Sequence, residues 1–442
     1  MFQNIRIKLF SVLTMAVLIT GACSDKLDIK PESAVSPDQI NSGNIKFFLN
    51  GLYLRTFGDR DDYFLNDIRG GNYTWTALSG STSAYGVLAT GNSLDDRISF
   101  SSRIWNNNYR SIYNANIILD AAEALGDDAN SKLVRAEASY LRAYMYYQLV
   151  TTFGDVPLIL KNTTDAVPRT PKADVWNQIN KDLDYAIANG RTLKVTGYKT
   201  VSIEAAKAFK ARVLLATGNK AGAAAIAKQL IDQSGLVIND NYGDIFRNTS
   251  ASSEILFAFE NLKSEKNIRF SQLFWPYGTV WAGSYFVQPS DYVLNQLYPA
   301  NDKRKAINIE KITNSDGTFN MIISKYWDVQ PIIISRISEM YLICAEGLPQ
   351  ADGLVYLNAL RVKRGLPALT LAQAGTADNY LTEILEERRR ELFSEGFLFY
   401  DLVRTDRAAA LPNIKTKDKY VMPLPGDQVR LSKGALVQNS GY

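Results

Sequence analysis

The sequence predicts a mainly α protein: a scaffold of tetratricopeptide-like helical hairpins carrying long irregular loops and a few short strands. Three observations lead there. Most long segments repeat their apolar residues at helical spacing. The unit from Ser202 to Gly235 has the length and small-residue texture of a helical hairpin. Two stretches, 66–100 and 261–334, break the helical period with Gly, Ser, Thr, Asn and aromatic residues.

The chain opens MFQNIRIKLFSVLTMAVLITGAC. Arg6 and Lys8 precede an apolar run from Leu9 to Ile19, and Thr20, Gly21 and Ala22 lead into Cys23, the three parts of an export signal. The run is shorter than the ~20 apolar residues that span a bilayer. Residues 1–22 are therefore expected to be a signal peptide, cleaved ahead of an acylated Cys23. The site is a loose one, with Thr20 where a Leu is usual, and an ordinary secretory signal with an incidental cysteine is the alternative. The stretch SDKLDIKPESAVSPDQ that follows is polar and carries Pro31 and Pro37, the composition of a tether. Cys344, the second of two cysteines, falls in a helical pattern and reads as small buried core.

Helices are expected at 44–57 and 103–125. SKLVRAEASYLRAYMYYQLV, 131–150, places Leu133, Leu141, Met145 and Leu149 on one stripe with Val134 and Ala138 beside it. Tyr140, Tyr144 and Tyr147 flank that stripe, and Gly154 and Pro157 end the pattern. A helix at 172–189 follows. Ser202 is then placed to cap IEAAKAFKARVLLAT, Gly218-Asn219 to turn, and KAGAAAIAKQLIDQS to form the return helix before Gly235. Further helices are expected at 335–347, 351–363 and 378–396.

The organisation expected is a signal peptide (1–22), an N-terminal half (23–250, with the loop 66–100) and a C-terminal half (251–442, with the loops 261–334, helices over 335–400 and an irregular tail). Lys and Arg total 49 against 45 Asp and Glu, a formal charge of +4, and no basic tract stands out, which argues against nucleic acid. The chain has no histidine, which removes the commonest general base and metal ligand. With 24 Tyr, 19 Phe and 6 Trp, the composition leans toward binding rather than catalysis. No cofactor or metal site is expected: Asp59, Asp61, Asp62 and Asp67 lack the spaced loop and distal Glu of calcium hands. EERRREL, 386–392, reads as an ion-paired helix face.

Long loops in a compact protein are usually functional or disordered, exposed aromatics argue against disorder, and binding residues gather on loops held by a rigid scaffold. Flat aromatic faces suit the C–H side of a sugar ring, and planar polar groups suit paired hydroxyls. The candidate ligand-binding residues are Asp67, Arg69, Asn72, Tyr73 and Trp75 in the first loop, and Trp275, Tyr277, Trp281 and Tyr285 in the second. Trp105, Trp176 and the tyrosines of 140–147 read as packing. Trp327 lies in a strand-like run and is left open.

Several stretches, in order, resemble the SusD/RagB family of outer-membrane nutrient-binding lipoproteins. They are Cys23 with LDIKP after it, IWNNNYRSIYNANIILD (104–120), RAEASYLRAYMYYQLVTTFGDVPLI (135–159), ISEMYLICAEGL (337–348), RVKRGLPAL (361–369), ILEERRRELFSEGFLFYDLVRT (384–405) and the ending LVQNSGY (436–442). Pro349 departs from the pattern where relatives usually continue the helix. The resemblance implies a tetratricopeptide-type scaffold whose irregular loops form a shallow ligand face. It also implies lipid anchorage on the cell surface, at the outer membrane, as a lid over a SusC-type TonB-dependent transporter. Such a protein would capture oligosaccharide, or in some members peptide, and pass it on without chemistry. Two rivals are a secreted glycosidase, which needs only paired carboxylates, and a pure protein-interaction scaffold, which leaves the aromatic loops unexplained.

Overall fold

The computed structural model describes residues 39–442 apart from 58, 266, 282 and 315. The expected signal peptide, Cys23 and most of the tether lie outside the described residues.

Helix α1 (Ile45–Thr56) turns Ile45, Leu49 and Leu52 inward. Helices α2 (Ser99–Ala124), α3 (Ala129–Phe153) and α4 (Lys172–Asn189) then pack side by side. Asp128 caps α3 by accepting from the Asn130 and Ser131 amides. Gly154, at φ 77°, ends it where a side chain would be strained. Arg142 of α3 meets Asp182 of α4 through two hydrogen bonds of 2.8 and 2.7 Å, and both side chains are largely buried.

The predicted hairpin is present as α5 (Ile203–Ala216) and α6 (Lys220–Gln233). The Ser202 hydroxyl accepts from the Ala205 amide at 3.0 Å, and the Asn219 side chain accepts from Gly222 at 2.9 Å. Helices α7 (Ile337–Gly347), α8 (Gln350–Lys363) and α9 (Ala377–Glu391) complete the helices longer than ten residues among the described residues. Each helix from α2 to α8 packs on the next one in sequence, as in a solenoid. The step from α6 to α7 is the notable one. About a hundred residues separate them in the chain, yet they lie directly against each other. A Cβ at Gly347 would run into the Lys220 carbonyl and the Ala224 side chain. Ala223, Ala224 and Ala227 of α6 are all 0 % exposed.

Among the described residues there are six strands, and the chain between α6 and α7 holds five of them: β2 (Ile255–Phe259), β3 (Val287–Pro289), β4 (Ile309–Thr313), β5 (Phe319–Ile323) and β6 (Ile332–Arg336). The sixth, β1 (Tyr73–Trp75), comes before α2. They form three antiparallel ribbons, β1–β3, β2–β6 and β4–β5. The largest apolar core runs from Ile45 to Leu436 and draws on both expected halves.

Two expectations change in detail. Tyr140 and Tyr144 do not flank a stripe: α3 is buried almost all round, because Phe257 and Phe259 of β2 close its third side at ring distances of 5.3 and 5.7 Å. The helix expected to reach 396 stops at Glu391, since Ser394 and Gly396 take φ of 62° and 80°.

The run 386–392 is ion-paired as expected, but inside the protein. Glu391, 0 % exposed, is shared by Arg304 (3.0 Å), Arg336 (2.6 Å) and Arg364 (2.8 Å). Glu254 of the segment leading into β2 bridges Arg336 and Arg364 at 3.1 and 2.8 Å. The three guanidiniums hold the Glu391 carboxyl well below the usual carboxylate range despite burial, which alone would raise it. This network fastens the inserted segment to α8 and α9. Cys344 is buried in α7, its thiol pushed up to about 12 by that burial.

Candidate functional site

The two stretches singled out in the sequence meet. Strand β1 pairs with β3 in the register Tyr73↔Pro289, Thr74↔Gln288, Trp75↔Val287. The chain after Trp75 and the chain before Val287 therefore leave the ribbon at the same end. Side chains hold them together there: the Thr76 hydroxyl donates to the Tyr285 carbonyl at 2.6 Å, and the Ser79 hydroxyl to the Phe286 carbonyl at 2.7 Å.

The candidate residues divide sharply by burial. Asp67, Asn72 and Tyr73 are 0–2 % exposed and work inside the fold. The Asp67 carboxylate accepts from the Ser394 amide (3.1 Å), the Gly396 amide (2.8 Å) and the Asn72 side chain (2.7 Å). Burial pushes that carboxyl up to about 6. The Tyr73 hydroxyl donates to Ser394 at 2.6 Å. Arg69 is buried too, with its guanidinium 3.9 Å over the Phe399 ring and a hydrogen bond to the Lys419 carbonyl; desolvation lowers it to about 10. These four residues tie the first loop to the end of α9 and the C-terminal segment.

The second loop divides the same way. Trp275 is 4 % exposed and its indole donates to the Tyr326 carbonyl at 3.0 Å. Tyr285 is 5 % exposed, at φ 47°, with its hydroxyl 3.0 Å from Gln288 Oε1 and 3.1 Å from the Met321 carbonyl. As placed, Asp67, Arg69, Asn72, Tyr73, Trp275 and Tyr285 support the face from below and do not present a surface to a ligand.

What remains outward is aromatic. Tyr277 is 90 % exposed, and Trp75 and Trp281 are half-buried. The Trp281 ring lies nearly parallel to that of Trp327, 5.8 Å between centroids and 11° between planes. The Arg247 guanidinium lies 4.4 Å over Trp327, fixed by a 2.8 Å hydrogen bond to the Ser324 carbonyl. Gly283 lets the loop fold this tightly, because a Cβ there would strike the Trp275 carbonyl at 2.6 Å. The adjacent Ser284 amide reaches the Gln272 carbonyl at 2.7 Å.

Trp327 and Arg247 were not among the candidates. The tryptophan's aromatic neighbourhood was a visible signal. For Arg247 the sequence holds none, since it ends a one-turn helix far along the chain from Trp327. The one carboxylate adjoining Trp327, Asp328, is paired with Lys263 and, at 3.0 Å, with Arg269. Among the described residues no group of three acidic or cysteine side chains is arranged to hold a metal ion, and no helix is long and apolar enough to cross a membrane.

Comparison with known proteins agrees with this architecture. Residues 174–412 match the family model described as the SusD family, and residues 27–215 match one described as starch-binding, associating with the outer membrane. SusD-like protein P38 of Formosa agariphila is 26% identical, with 96% of each chain covered. SusD-like protein P2 of the same organism is 25% identical, over 77% of this chain and 80% of its own. Among solved structures, a laminarin-binding SusD-like protein superposes with a TM-score of 0.79 at 22% identity, covering 91% of this chain and all of its own. Surface glycan-binding protein A from Bacteroides thetaiotaomicron, in complex with laminarihexaose, gives 0.77 at 20% identity, covering 90% of this chain and 99% of its own.

Proposed function

Because this chain belongs to the SusD family, we propose that it is a non-catalytic glycan receptor of the outer membrane. It captures oligosaccharide on the loop face and delivers it to a SusC-type TonB-dependent transporter. A lipid on Cys23 keeps it at the cell surface.

The observation that carries this reading is the parallel pair Trp281 and Trp327, with Trp75 and Tyr277 also outward on the two joined loops. Flat indole faces offer a sugar ring a large apolar contact at small entropic cost. Support comes also from two structurally similar proteins whose names state that they bind laminarin or laminarihexaose. A glycosidase needs one protonated and one ionised carboxyl flanking the scissile bond. Asp328, the acid nearest the indoles in sequence, is instead neutralised by two cations.

The test is retardation of the purified protein in native gels containing single soluble polysaccharides, with the Trp281→Ala variant alongside. Retardation by one glycan, weakened in the variant and without release of reducing sugar, is the expected result. Release of reducing sugar overturns the non-catalytic reading. Absence of retardation by every glycan, with binding of peptides instead, overturns the glycan reading.

A further inference from the structure

A second concavity shares no lining residue with the loop face. A cleft of about 500 Å³ opens between α2, the chain 157–167 and the C-terminal helix Gly426–Leu431. Trp105 of α2 lines it and is 4 % exposed, with its ring 4.8 Å from that of Tyr109. Its indole N–H has no acceptor among the described residues, whereas the equally buried Trp275 has one in the Tyr326 carbonyl. Neither paired nor sealed from solvent, this N–H is free to donate to what enters the cleft.

The lining has one charged side chain, Arg110, and no Asp or Glu. Arg110 is exposed and pairs with no carboxylate among the described residues. Around it stand the planar amides of Asn106 and Gln428, only 3.4 Å apart, and Tyr113, which is 52 % exposed.

We propose that this cleft is a second ligand site, taking a saccharide unit that bears a carboxylate, such as a uronic acid. The Arg110 fork meets the carboxylate. The amides and the Trp105 N–H meet ring oxygens and hydroxyls, and the aromatic and aliphatic wall takes the C–H face. The volume falls within the roughly 300–1,000 Å³ of small-molecule sites. A neutral sugar leaves Arg110 without a counter-charge, and a purely apolar ligand leaves Trp105 and the amides unmet. None of these residues belongs to the loop face, so this inference stands independently of the loop-face reading.

The test is titration of the purified full chain with galacturonic acid, glucuronic acid and their neutral hexose counterparts, read by tryptophan fluorescence and calorimetry. We expect saturable binding of a uronic acid, with the neutral hexose weaker by about tenfold or more. Arg110→Ala, at an exposed and unpaired position, weakens the uronic acid by a similar factor, and Tyr113→Ala weakens both ligands. No saturation by any uronic acid, equal binding of the neutral hexose, or an unchanged affinity in Arg110→Ala overturns the proposal. Loss of uronic acid binding in Tyr277→Ala with retention in Arg110→Ala places the ligand on the loop face and overturns it as well.

Discussion

Trp281 and Trp327 come from different parts of the inserted segment and lie 5.8 Å apart with their planes 11° from parallel. Neither ring is fully covered, so removing one changes the surface more than the core. Trp281→Ala is expected to weaken glycan binding by tenfold or more, about 1.4 kcal/mol, and to leave the melting temperature nearly unchanged. Affinity gels and thermal melts on the same preparations check both halves.

Trp275 should behave in the opposite way. It is buried and its N–H is bonded to the Tyr326 carbonyl, so Trp275→Ala opens a cavity and strands an acceptor. A loss of about 3–5 kcal/mol in unfolding free energy is expected, measured by urea titration. Retained stability together with lost binding would place Trp275 on the ligand face after all.

Asp67, itself 0 % exposed, accepts two backbone amides and one side-chain amide. Asp67→Ala leaves those three donors unpaired, at about 1–3 kcal/mol each when buried. Hydrogen exchange at the Ser394 and Gly396 amides should quicken well before global unfolding does. Unchanged protection at both amides would refute the linkage.

Glu346 supplies a pH dependence. Burial alone would raise its carboxyl, but the Arg404 guanidinium, 2.7 Å from each of its oxygens, overrides that and holds it at about 2. The folded value lies below the unfolded one, so the ionised pair stabilises the protein at neutral pH. That contribution is lost as pH falls from about 5 toward 2. Glu346→Gln should cost about 3 kcal/mol at pH 7, and the gap to the parent should close across that acid window in melts at stepped pH.

Gly347 sits where α7 approaches α6, against the Lys220 carbonyl. Gly347→Ala should destabilise by about 1–3 kcal/mol through forced separation of the two helices, with no effect on glycan binding. Denaturant midpoints and affinity gels decide it.

The scaffold was legible because its signals are local. Apolar spacing, Ser202 as a cap, Gly218-Asn219 as a turn, and alanine where helices touch are all written within one or two turns of chain. The two loops were legible as exceptions to that spacing, and their union through β1 and β3 follows an antiparallel register no single stretch announces. Which loop residues face outward was not legible. Asp67 and Tyr73 look like ligand groups until their partners, Ser394 and Gly396, are brought from the far end of the sequence. Trp275 and Trp281 are alike in composition and differ only in what covers them. Likewise EERRREL shows its pairing by spacing, but the Arg304, Arg336 and Arg364 side chains that bury it come from three other segments.

Helices α6 and α7 pack as though adjacent in the chain, with everything from Ser234 to Arg336 looped out between them. Such a loop can change length cheaply, since closure entropy grows only with the logarithm of length. The insert is therefore suited to transplantation between homologous scaffolds, as a cassette with its ends already side by side. A transplant must nonetheless carry Glu254, Arg304 and Arg336. Without them the recipient's own Glu391 and Arg364 would be left as buried charges facing each other with fewer partners than they need.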